Sequence, residues 1–201
     1  MGLLSRTTNF VRYSVEGKLP DNFWEFAAER IAQFSFRDID DTFDEYSIGW
    51  VAVDNMFDNS FAHASYAVGD YIALSMRIDE RKVSKNLLQK YSLKEEERLK
   101  KEKQIPRLSR NQRVQIKEDI RLKLVKKSLP FPSVYNLCWN LANSTVFFFS
   151  TSTKAQSVLE DFFKESFGLT IILQVPYLAA VHLLNLSEQE KLQNLHPEIL
   201  V

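Results

Sequence analysis

Between Val83 and Leu129 the chain carries no Gly and a single Pro, Pro106, in a stretch dominated by Leu, Lys, Glu and Arg. Strong helix formers over so long a run leave helix as the favoured backbone. Pro106 disfavours helical geometry at Ile105, and Ser109 and Gln112 stand at capping-box spacing. The stretch therefore reads as two helices broken near "QIPRLS", a helical hairpin. It forms an arm inserted over 82–129 in an otherwise single domain.

The remainder must supply the body. With 201 residues, 45% hydrophobic and 12% aromatic, the chain can bury a real core. "TTNFVRYSVE" reads as a strand. In "KLPDNFWEFAAERIAQFSF", Asp21 or Asn22 can cap a helix whose buried face is Phe23, Phe26, Ala27, Ile31 and Phe34. "YSIGWVAV" and "VGDYIALSMRI" are strands by their β-branched and aromatic content, the second entered by a Gly69-Asp70 turn. Beyond the arm, "SVYNLCWNL" and "STVFFFSTS" flank a hairpin turn at Ala142-Asn143. "STKAQSVLEDFFKESFG" is a capped amphipathic helix that stops at Gly168, and "LTIILQV" is a buried strand. Ser187 and Glu190 have capping-box spacing for a short helix in the tail. Hairpins outnumber crossovers, so the fold class is α+β with a mainly antiparallel sheet packed with helices, plus the projecting basic hairpin.

The formal net charge is zero, but it is unevenly spread. Arg81 to Lys127 holds 17 Lys and Arg against 6 Asp and Glu, a net of +11, and leaves −11 on the rest. Such segregation speaks of partners rather than of fold. Lys90, Lys94, Arg98 and Lys101 recur at helical spacing along one side of the first helix, with Tyr91, Glu95 and Glu102 toward another. Arg110, Arg113, Lys117 and Arg121 form a second stripe, and Lys100, Lys103 and Arg107 cluster near the break. A helix of about 20 residues spans about 30 Å, close to the ~34 Å of one duplex turn. Glu96–Lys100 and Glu97–Lys101 are i,i+4 pairs that account for part of the charge as ordinary solvated helix. The cations between Glu102 and Glu118 have no such local partner. With no base-reading module and no aromatic interleaving on the arm, the expected contact is sequence-independent and made to the phosphates of double-stranded DNA.

Other chemistry is thinly represented. Asp38, Asp40, Asp41, Asp44 and Glu45 crowd one loop, but their spacing misses the Ca²⁺ loop, and a nuclease site gathers ligands from separate strands. A solvated loop is the expectation, and a metal-dependent exonuclease the least favoured reading. His63, His182 and His196 lack metal spacing, and His63 reads as structural. Cys138 has no partner cysteine and reads as a core residue. No nucleophile elbow, P-loop or dinucleotide fingerprint occurs, so neither cofactor nor metal is implied and no enzymatic activity is expected. No stretch has the apolar length of a membrane span, and the N-terminus lacks a secretory pattern, which together suggest a cytoplasmic protein with no membrane partner. A different class of function also fits the charge asymmetry: an oligomerisation module whose basic arm docks on an acidic partner surface.

A succession of short motifs carries a resemblance. "GWV", "FAHAS", "GDYIALSMRIDERKVSKNLL", "ERLKKEK", "RVQIKEDI", "LP" and a strand around Trp139, then "STKAQSVLEDFFKESFG" and "LTIILQVP", follow one another from Tyr46 to Pro176. In this order they resemble the bacterial recombination-associated protein RdgC family, of which the chain would be a short, C-terminally truncated member. The resemblance implies one RdgC-like domain over 1–201 and a nucleoid protein that binds duplex DNA without sequence preference. It also implies a homodimer or other homo-oligomer encircling DNA and a role in limiting the recombination machinery's access. Lys100, Lys101 and Lys103 match the family's lysine-rich run. Where the family has Arg-Ala-Phe after "LP", this chain reads "LPFPSVYN", with Phe131 as the nearest equivalent.

Overall fold

The computed structural model of the protein describes residues 2–177, 180 and 184. Among them lie seven strands and four α-helices: β1 (Val11–Glu16), α1 (Phe23–Gln33), β2 (Tyr46–Val51), β3 (Ala67–Val68), β4 (Tyr71–Arg81), α2 (Lys85–Glu102), α3 (Arg110–Lys127), β5 (Pro130–Asn140), β6 (Thr145–Phe148), α4 (Thr153–Phe167) and β7 (Thr170–Leu173). The strands order as β2-β4-β5-β6-β1-β7, with β3 pairing β4, in a curled antiparallel sheet. The protein is α+β, as hairpin-rich sequence requires. The capping-box pair Ser187 and Glu190 lies outside the described residues.

The chain divides into two compact units. In the first, which includes α1, β1, β6, α4 and β7, the centre is Trp139, fully buried and met edge-on by Phe23 at 5.3 Å, Phe163 at 5.1 Å and Phe167 at 5.4 Å. Edge-to-face packing adds to the burial of these large rings. Helix α1 enters the core through Phe23, Ala27 and Ile31, spaced four residues apart, while Phe26 and Phe34 are only partly buried. Helix α4 begins at the Ser152 cap, whose hydroxyl accepts from Ala155 N–H, and ends at Gly168, whose φ of 68° is the left-handed cap that glycine adopts without strain. The β5–β6 hairpin pairs Asn140 with Thr145, so the turn falls where Ala142 and Asn143 predict it. Cys138 is half-buried rather than a full core residue, and burial pushes its thiol up from the ordinary value.

The second unit holds Ala32–Phe61 and Ser75–Val134. Trp50 and Met76, cross-strand partners on β2 and β4, are both fully buried there. The segment before β2 lies against it: Phe36 N–H donates to Trp50 O at 3.0 Å, and Trp50 N–H donates to Phe34 O at 2.9 Å. This approach requires Gly49, because a Cβ at that position would stand 2.2 Å from the Phe36 Cα. Strand β4 runs past Ile78 to Arg81, and β5 begins at Pro130, so the two helices account for nearly all of the chain between these strands.

Candidate nucleic-acid interface

Helices α2 and α3 are each 18 residues, about 27 Å at 1.5 Å per residue. Ser84 caps α2 by accepting from Leu87 N–H, and Ser109 caps α3 in a full capping box with Gln112. The break between them includes Gln104 in left-handed backbone, φ 51°. A narrow apolar seam joins the helices: Leu108, Ile116 and Ile120 are buried, and Leu88, Leu99, Ile105 and Leu124 pack against them. Beyond this seam only Ser92 of α2 and Val125 of α3 are buried, and the other helical positions are partly or fully exposed.

The eleven expected contact residues separate into two kinds. Arg98 is held by two carboxylates of its own helix, bidentate to Glu95 at 3.0 and 2.7 Å and to Glu102 at 2.9 Å. These bonds lower the Glu95 carboxyl below the usual range and raise the Arg98 guanidinium. Arg113 approaches Glu96 at 4.0 Å, and Arg121 donates to Glu45 at 3.1 Å. Lys90, Lys94, Lys100, Lys101, Lys103, Arg107, Arg110 and Lys117 have no carboxylate in salt-bridge range among the described residues. All of these are exposed except Lys100, which is partly buried. The expected Glu96–Lys100 and Glu97–Lys101 pairs do not form. Glu96 turns to Arg113 on the other helix instead, while Arg98, whose planar fork takes carboxylates two-handed where lysine offers a single point charge, engages Glu95 and Glu102.

The stripes do not face the same way. Lys94, Arg98 and Lys101 line one groove together with Tyr91, Glu95, Glu97 and Ile120. Lys117 lines another with Lys85, Leu88, Gln89, Ser92, Leu93 and Glu96. Tyr91 thus stands beside the first stripe, with the Lys90 ammonium 5.8 Å from its ring, although spacing sets it on another side of the helix. Lys85 is a member that the stripe reading missed. Its relation to Lys117 depends on how α2 lies against α3, which no spacing within one helix reveals.

The acidic loop is more than a solvated run. Arg81 is buried on β4, and its guanidinium donates to the carbonyls of Asp44 at 3.0 Å, Ile39 at 2.7 Å, Thr42 at 3.0 Å and Asp40 at 3.2 Å. It also donates to the Ser128 carbonyl at the end of α3. Four residues earlier, buried Arg77 is bidentate to Asp79 at 2.9 and 2.7 Å, donates to Met56 O at 3.1 Å and lies over the Phe36 ring at 4.1 Å. Hydrogen bonding to Asp79 raises the Arg77 guanidinium above its ordinary value. Arg81 is thereby committed to folding the acidic loop, and Arg77 to its own strand and the segments around Phe36 and Met56. No group of three or more His, Cys, Asp or Glu among the described residues is arranged to hold a metal ion. His63 is exposed and takes left-handed backbone, φ 56°, between Phe61 and Ala64, which do the same. Among the described residues no helix is long and apolar enough to cross a membrane.

No protein-family model matches this sequence, and a search of curated proteins finds no match.

Proposed function

We propose that this protein is an RdgC-like, sequence-independent duplex DNA-binding protein of the bacterial nucleoid, acting in recombination as a homodimer or other homo-oligomer. The observation that carries the reading is the set of hairpin cations left without carboxylate partners. Eight exposed or partly exposed positive side chains on a thin helical pair serve no packing need, and a polyanion of regular charge spacing satisfies them together. The succession of motifs from Gly49 to Pro176 supplies the identity of that polyanion and the setting in recombination. Contact is electrostatic, and no catalytic step is assigned.

The test is a salt titration with a random duplex. If six or more phosphates are neutralised, the binding constant falls roughly 10³-fold between 50 and 200 mM salt. Binding that ignores salt, or no binding at low salt, overturns the reading. The segregation of charge, +11 over Arg81 to Lys127 against −11 on the rest, favours self-association through basic and acidic surfaces as the second reading. Salt-sensitive assembly in light scattering, with no affinity for DNA, would establish it instead.

A further inference from the structure

The two grooves of the hairpin differ in charge, and we infer that the phosphate backbone is taken on one of them only, the face where Lys85 and Lys100 of α2 meet Arg110, Arg113, Lys117 and Arg121 of α3. This rests on the proposed nucleic-acid reading and names the surface that carries it.

Lys85, Glu96 and Lys117 line this groove directly, and Arg113 reaches Glu96 across it. Lys100 follows Glu96 by four residues, Arg121 follows Lys117 by four, and Arg110 precedes Arg113 by three, so helical spacing sets all three on the same side. Six cations thus face two acids, Glu96 in the groove and Glu45 at the Arg121 end, for a net of +4. The opposite groove collects Lys94, Arg98 and Lys101, with Lys90 one turn before Lys94 and Lys123 acting on Glu95, against Glu95, Glu97 and the Glu102 that holds Arg98, for a net of +2. A duplex strand approaching that side meets a carboxylate for more than half of its cations and gains less from neutralising its phosphates.

From Arg110 to Arg121 the cations extend over about 16 Å of helix, about half a turn of duplex. Continuous contact over several consecutive phosphates fits that length.

The experiment compares K85A/K100A/K117A with K90A/K94A/K101A, using a fluorescein-labelled random 20-base-pair duplex and anisotropy over a series of salt concentrations. All six lysines lack carboxylate partners, and alanine favours helix at each. The groove variant is expected to lose about 2.7 from the slope of log affinity against log salt, about 0.9 for each lost phosphate, and roughly 10²-fold in affinity at 100 mM. The opposite-face variant should change the slope by less than about 0.9, one contact. Equal losses, or a larger loss from the opposite face, overturn the inference while leaving DNA binding intact. A wild-type protein that binds no duplex at low salt removes both. Circular dichroism checks that the helices persist, and if a triple variant is unfolded, K117A against K94A decides the matter by the same criterion.

Discussion

Trp139 and Ile116 anchor two regions built in contrasting ways. Around Trp139, three phenylalanine rings from α1 and α4 close within 5.4 Å, and burial of large apolar area holds strand and helices together. Around Ile116 the hairpin has a seam of three buried residues and four partly buried ones, with Ser92 and Val125 buried outside it. Helices of 18 residues are marginal in isolation, so caps, intrahelical ion pairs and that seam stabilise α2 and α3. The contrast teaches what each surface is free to do. A region whose inside is so small has most of its side chains left for another purpose, and here they are charged.

The largest effect expected from breaking this contrast is at Trp139. Trp139→Ala removes the ring on which Phe23, Phe163 and Phe167 converge, and a loss of about 3–5 kcal/mol is expected. Urea denaturation followed by far-UV dichroism reads it. A loss below about 1 kcal/mol would mean that the aromatic cluster is not what holds the first unit.

Legibility in the sequence follows the same division between local and tertiary causes. The caps at Ser109, Ser152 and Gly168 were readable because each is satisfied within four residues of itself. The positions of the arm and of the β5–β6 turn followed for the same reason. Arg77 and Arg81 were not readable as buried groups. They sit at i and i+4 in "MRIDER" with Asp79 between, on one face of β4, and from Ser75 onward that face is polar: Ser75, Arg77, Asp79 and Arg81 are all buried. The period-two pattern was there, but polar residues on one strand face ordinarily meet water. Only the covering loop, whose carbonyls Arg81 collects, turns them inward. The two-sided character of the hairpin was hidden likewise, since each stripe is correct for its own helix and the packing angle decides which grooves they enter.

A smaller and more local effect is expected at the seam. Ile116→Ala should cost about 2 kcal/mol, the low end for a buried isoleucine, because a seam open on both sides can partly collapse into the vacancy. Hydrogen exchange should speed up along α2 and α3 while amides of β1 and β6 keep their protection. Uniform loss of protection in both regions would show that the hairpin is not a separate cooperative element, and the comparison with the Trp139 region would fail.

The smallest effect tests whether capping contributes to the hairpin as its thin seam suggests. In the α3 box, Gln112 N–H donates to the Ser109 hydroxyl at 3.3 Å, and Ser109 N–H donates to the Gln112 side-chain oxygen at 2.9 Å. Ser109→Ala removes the first bond and leaves a helix N-terminal amide to water, for a cost of about 1 kcal/mol. The change should be confined to exchange in the first turn of α3, next to Arg107 and Arg110. Ser109→Asp restores the acceptor and recovers the loss, with added benefit from negative charge at a helix N-terminus. It also sets a carboxylate between two of the unpaired cations, so recovered stability should come with weaker duplex binding. Stability and affinity moving in opposite directions at one position would separate what holds the hairpin from what it holds. If they rise together, the basic residues near the break are not part of the anion-binding surface.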